Sequence, residues 1–64
     1  MLLTYTQYRG PEAYAIDPTH IAAVVRERDS GGDAAHVLIR TGDGREYVVE
    51  GEFDAVVAAI NKTF

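Results

Sequence analysis

A chain of sixty-four residues supports one domain, residues 1–64, and at this size folding buries only about 60% of the surface exposed by the unfolded chain. The absence of cysteine excludes disulfides and thiolate metal sites, so a marginal core must draw support from oligomerisation or from docking on a partner. Ten acidic residues against six basic ones give a net charge of −4, and Arg26, Arg28, Arg40 and Arg45 alternate with Glu27, Asp29, Asp43 and Glu46, which argues against a nucleic-acid partner.

The hydrophobic fraction of 47% is that of a globular chain, and no run approaches the roughly 20 apolar residues of a membrane span. Residues 1–10 lack a basic region followed by an apolar stretch, so the expected location is the cytoplasm.

Residues 2–8, rich in Thr and Tyr, suit a strand, and Arg9, Gly10 and Pro11 then turn the chain into a short second strand at residues 13–16. Asp17-Pro18 breaks that strand, because the residue before proline is pushed out of the helical region. Residues 21–28 follow, where Val24 and Val25 favour a strand; the competing reading is a helix from Thr19 supported by Ala22 and Ala23, but about eight residues before the turn at 29–33 is short for a helix.

Residues 34–41 and 45–50 flank Gly42-Asp43-Gly44, the strongest local signal in the chain. A two-residue turn at Asp43-Gly44 would oppose Val37 to Glu50 and Arg40 to Tyr47. A three-residue loop with Gly44 left-handed instead opposes Arg40 to Glu46, Ile39 to Tyr47, Leu38 to Val48, Val37 to Val49 and His36 to Glu50. The second register is preferred because it sorts apolar side chains onto one face and pairs opposite charges on the other.

Residues 52–63 place Phe53, Val56, Val57 and Ile60, and then Phe64, on one helical stripe, with Gly51 as N-cap, Glu52 and Asp54 in the first turn and Lys62 in the last. The expected fold is therefore α+β: a small antiparallel β-sheet of four to five strands with one C-terminal helix packed on one face. Its expected core is Ala35, Val37, Ile39, Tyr47 and Val49 together with Ile21, Ala23 and Val25.

Pairing Val25 with Val37 would leave a second face with Ala22, Val24, Leu38 and Val48 at its centre and Arg26, His36, Arg40, Glu46 and Glu50 around them. An apolar centre inside a charged rim is how many protein interfaces are built, so Ala22, Val24, Arg26, His36, Leu38, Arg40, Glu46 and Val48 form the candidate interface. The plainer alternative is scattered surface valines.

No chemistry is apparent. Ser30 lies in a Gly-rich loop, His20 and His36 have no metal-ligand spacing with other donors, and Asp17, Asp29, Asp33, Asp43 and Glu52 sit near turns, where short carboxylates bond the local backbone. Gly31-Gly32 and Gly42-Asp43-Gly44 do not lead into a helix as phosphate-cradling loops do. No catalytic residue, metal or cofactor is expected.

Residues 44–60 (GREYVVEGEFDAVVAAI) resemble the small flagellar FlbD-like (SwrD-like) family. Tyr47, Val49, Asp54, Val56 and Ile60 fall at that family's positions, and Tyr8-Arg9-Gly10 and Ile21 match its first turn and mid-chain strand. The resemblance implies a cytoplasmic, non-enzymatic accessory protein that supports the flagellar motor by binding other proteins, with no catalytic residues. Two readings stand on these residues: a homo-oligomeric protein-interaction module, or a binder of a nucleotide or other small metabolite using Arg26, Arg40 or Arg45 for charge and Tyr5 or Tyr14 for stacking. A phage or mobile-element inhibitor of a host protein would have the same composition.

Overall fold

The computed structural model describes residues 2–27 and 35–63, and so Arg28, the expected turn at 29–33, Ala34 and Phe64 lie outside the described residues. The fold is α+β. Strands β1 (Leu3–Thr6) and β2 (Ala13–Ile16) form one antiparallel hairpin, a short 3₁₀ turn (Pro18–His20) follows, and β3 (Ile21–Arg26), β4 (His36–Thr41) and β5 (Glu46–Glu50) form a three-stranded antiparallel sheet in the order β3-β4-β5. Helix α1 (Phe53–Asn61) closes the chain.

The β4–β5 hairpin adopts the three-residue loop. Thr41 N–H donates to Arg45 O at 2.9 Å, Gly44 N–H donates to Thr41 O at 3.0 Å, and Gly44 takes the left-handed φ of +88° that only glycine adopts without strain. The pairs Arg40–Glu46, Ile39–Tyr47, Leu38–Val48, Val37–Val49 and His36–Glu50 follow from this turn. Val37, Ile39 and Val49 then stand on one face and are fully buried, each contributing about 1.5–3 kcal/mol of apolar burial before chain entropy is subtracted.

Ile16 and Val56 complete the buried cluster, with Tyr5, Tyr14, Ile21, Val24, Tyr47, Phe53 and Ile60 packed against it. Both the helix and the first hairpin therefore cover the inner face of the sheet. The two sheets meet where Gln7 bridges to Val49 and Tyr8 N–H donates to Val48 O at 2.9 Å. Leu2, expected in β1, is instead 59% exposed before the strand begins.

Two expectations are corrected here. The pairing of Val25 with Val37 does not occur: the ladder slips at a β-bulge between Ile21 and Ala23, and Ala22 is the extra residue. Past the bulge Val24 opposes Ile39, Val25 opposes Leu38 and Arg26 opposes Val37, so Val24 faces the core and Val25 faces outward at 41% exposure. The one extra residue at Ala22 offsets the pleat, so every side chain after it changes face. Ala35, also expected inside, is exposed.

The helix N-cap is Glu52 rather than Gly51, and the Glu52 side chain makes no capping bond. Gly51 instead turns the chain at φ +141°, where a Cβ would lie 3.1 Å from Val56 Cγ2. Lys62 falls just past the helix, its N–H donating to Ala58 O at 3.0 Å.

The Tyr5 hydroxyl is buried with no hydrogen-bond partner among the described residues, and burial raises its pKa above 10.0. Removing it removes a desolvation cost, so Tyr5→Phe should stabilise the domain by about 1 kcal/mol in urea melts. The register predicts a contrast at neighbouring positions: Val24→Asp should cost about 2–3 kcal/mol, whereas Val25→Asp should change stability by less than about 1 kcal/mol. Equal costs at the two positions would contradict the bulge.

Candidate interaction surfaces

The outer face of the three-stranded sheet carries Ala23, Val25, Leu38 and Val48 at its centre. Val25 is exposed and Ala23, Leu38 and Val48 are half-buried on this face, while the helix and the first hairpin pack on the other side. At one end Arg40 and Glu46, opposed across the strands, form a two-point pair, with Nη2 at 2.6 Å and Nε at 3.1 Å from Glu46 Oε2. With both side chains about half exposed, this pair orients the rim more than it stabilises the fold.

At the other end the turn after β1 folds over the sheet. Tyr8 stacks on His36 with ring centroids 3.8 Å apart and planes 11° from parallel, and the Arg9 guanidinium lies 5.3 Å from the Tyr8 centroid. Arg9 reaches this position through a left-handed φ of +56°, unusual for a residue with a side chain. Glu50 stands opposite His36 on β5.

Of the predicted interface residues, His36, Leu38, Arg40, Glu46 and Val48 share this outer face. Val24 and Arg26 do not: the bulge turns both to the inner face, where the Arg26 guanidinium sits 4.9 Å from the Phe53 ring and 3.7 Å from an Asp54 carboxylate oxygen. Ala22 is the exposed bulge residue. Ala23 and Val25 take the places expected of Ala22 and Val24. The Tyr8 stack was missed as well; an aromatic residue beside a Gly-Pro turn was its one signal in the sequence.

The residues proposed for a charged small ligand are not assembled. Arg26 is engaged by α1, Arg40 by Glu46, and Arg45 lies with its Nε 3.5 Å from Asp43 Oδ2 at the hairpin tip. Tyr5 and Tyr14 oppose each other in the first hairpin, Tyr14 meeting Tyr47 edge-on at 4.8 Å. Among the described residues no group of three or more His, Cys, Asp or Glu side chains could hold a metal ion, and no helix is long and apolar enough to cross a membrane.

A second surface is concave. A groove of about 820 Å³ runs along β2 between Leu2, Tyr14, Ile16, Ile21 and Tyr47, with Asp17 and Asp43 among its polar lining residues. Both carboxylates are fixed by their own turns. Asp17 Oδ1 accepts from the Thr19 hydroxyl at 2.7 Å and from Thr19 N–H at 2.9 Å, and Asp43 accepts from the Thr41 hydroxyl and from Arg45 N–H. These hydrogen bonds to the ionised forms, hydroxyl first and N–H second, hold both groups below the ordinary value of 3.8.

No known protein family matches the chain, and neither a curated protein nor a solved structure matches it.

Carboxylates with lowered folded pKa values add stability above their unfolded pKa and lose it as the pH falls through the folded one. The urea midpoint should therefore fall progressively below about pH 4. The Asp17→Asn/Asp43→Asn double variant, whose amide oxygens can still accept from Thr19, Thr41 and Arg45, should show a shallower fall over the same interval. Superimposable pH profiles would show that the two turns do not couple to acid unfolding.

Proposed function

We propose that this chain is a small, non-enzymatic protein-interaction module of the cytoplasm that self-associates through the outer face of the β3-β4-β5 sheet. The observation that carries the reading is the partly exposed apolar cluster of Ala23, Val25, Leu38 and Val48, at the centre of a sheet whose other face already holds both the helix and the first hairpin. Contiguous apolar surface with a polar rim is what an interface core presents.

The occupant proposed is a second copy. A two-fold interface must be complementary to itself, and this face carries both signs of charge: Arg40 and Glu46 side by side at one end, Arg9 and Glu50 near the other. Antiparallel stacking of two such faces would set the Arg40–Glu46 end of each against the Arg9–Glu50 end of the other, opposite charges meeting, while the valines and Leu38 pack between them. Self-association also supports a chain too short to build a large core, as expected for a 64-residue domain without cysteine. The resemblance to the flagellar FlbD-like family points to the same class of role, an accessory protein acting by protein contacts, and the flagellar setting belongs to this proposal.

Sedimentation across a concentration series tests it. Wild-type protein should form a dimer or larger assembly, and Leu38→Glu should be monomeric, with far-ultraviolet dichroism close to the wild type and a urea midpoint that no longer rises with protein concentration. A wild-type monomer at all concentrations, or undiminished assembly by Leu38→Glu, would remove this face from consideration.

A further inference from the structure

The edge of β2 and the groove beside it form a second site, independent of the outer sheet face, and we infer that it takes an extended segment of a partner protein that alternates apolar and basic residues, added to β2 as a further strand. The backbone supplies the first part of the argument. Gln7 N–H donates to Glu12 O at 2.8 Å, which makes Gln7 and Glu12 a hydrogen-bonded pair of the β1–β2 ladder. Alternation along an antiparallel pair then makes Tyr5–Tyr14 and Leu3–Ile16 the other bonded pairs, while Ala13 and Ala15 direct their N–H and C=O groups away from β1. Among the described residues no strand pairs with that side of β2.

The two sheet edges differ in their protection. On β3 the bulge at Ala22 disrupts the ladder, Arg26 ends the strand, and α1 packs alongside, with Val57, Ile60 and Asn61 lining a crevice against residues 21–24. Bulges, charges and covering helices are the usual devices that keep an edge from pairing. Strand β2 has none of these. It reads Ala-Tyr-Ala-Ile, without a charge, a bulge or an internal proline, and its exposed side chains, Ala13 and Ala15, are small enough to admit another backbone. Strand addition at such an edge takes affinity from main-chain hydrogen bonds and specificity from the side chains beside it.

Those side chains select the occupant. Tyr14, Ile16, Ile21 and Tyr47 line the groove with apolar surface, and Asp17 and Asp43 lie in the same lining. His20 also contributes, and Arg45 lies within 3.5 Å of Asp43 without lining the groove itself. Local hydrogen bonds keep both carboxylates ionised. The groove therefore offers apolar contact and negative charge to a strand bearing Lys or Arg at alternate positions. No described strand of this chain alternates apolar and basic residues, so the occupant inferred is a different protein.

The test uses the full chain and two acetylated, amidated octapeptides, one alternating Val and Lys and the other alternating Val and Glu. In ¹⁵N-resolved titrations the Val-Lys peptide should shift the amides of residues 13–17 and bind at least tenfold more tightly than the Val-Glu peptide. Ala15→Pro removes an outward N–H without touching the β1 ladder and should weaken Val-Lys binding at least tenfold; Asp17→Asn/Asp43→Asn keeps both turns and should weaken it several-fold. No binding of the Val-Lys peptide, equal binding of the two peptides, or shifts confined to the outer-face residues His36, Leu38, Arg40, Glu46 and Val48 would overturn the inference. Should Ala15→Pro fail to fold, the double Asn variant decides: wild-type affinity in it would overturn the inference equally.

Discussion

The register of the β4–β5 hairpin is the constraint from which the remaining structure is built. Gly44 can take a left-handed backbone where any other residue would be strained, and the Thr41 hydroxyl and Arg45 N–H both bind the Asp43 carboxylate across the same turn. This combination admits one pairing of the flanking strands. A slip by one residue would turn Val37, Ile39 and Val49 to solvent and bring Leu38 and the Arg40–Glu46 pair inside. The chain has too few large apolar side chains to form a second core from the others, so the turn and the core specify each other.

Against that fixed hairpin, the other elements pack in the positions that cover its inner face. The β1–β2 hairpin brings Tyr14 onto Tyr47 and Ile16 into the cluster, and α1 brings Val56. Strand β3 is adjusted to fit: one extra residue at Ala22 delivers Val24 to the core and leaves Val25 outside. The same bulge blunts the β3 edge, so one irregularity both completes the core and leaves β2 as the unprotected edge of the fold.

Two surfaces remain, and they differ in kind. The outer sheet face is a shallow apolar patch bearing both charges, which suits contact with its own copy. The β2 groove is concave, acidic and bordered by outward backbone groups, which suits an extended basic segment. They lie on different faces, the groove taking Ile21 and Tyr47 from the inner side of β3 and β5, so occupation of one would leave the other open. The arginines that could have met an anionic ligand are separated by their ties to Phe53, Glu46 and Asp43.

The sequence by itself determined the α+β class, the second strand at residues 13–16, the hairpin register and the helical stripe, because each depends on turn chemistry or on periodicity within a few residues. It also placed five of the eight predicted interface residues on one face, since His36, Leu38, Arg40, Glu46 and Val48 all belong to the hairpin with the strong turn. Only the tertiary structure decided the rest. Whether Val24 or Val25 points inward depends on what lies above β3, and Ala22 carries no local mark of a bulge. Gly51 turns the chain at positive φ just ahead of the helix, where a Cβ would crowd Val56 in the first turn of α1. The groove along β2 likewise joins residues far apart in the chain, and spacing along a sequence does not report which distant segments the core draws together.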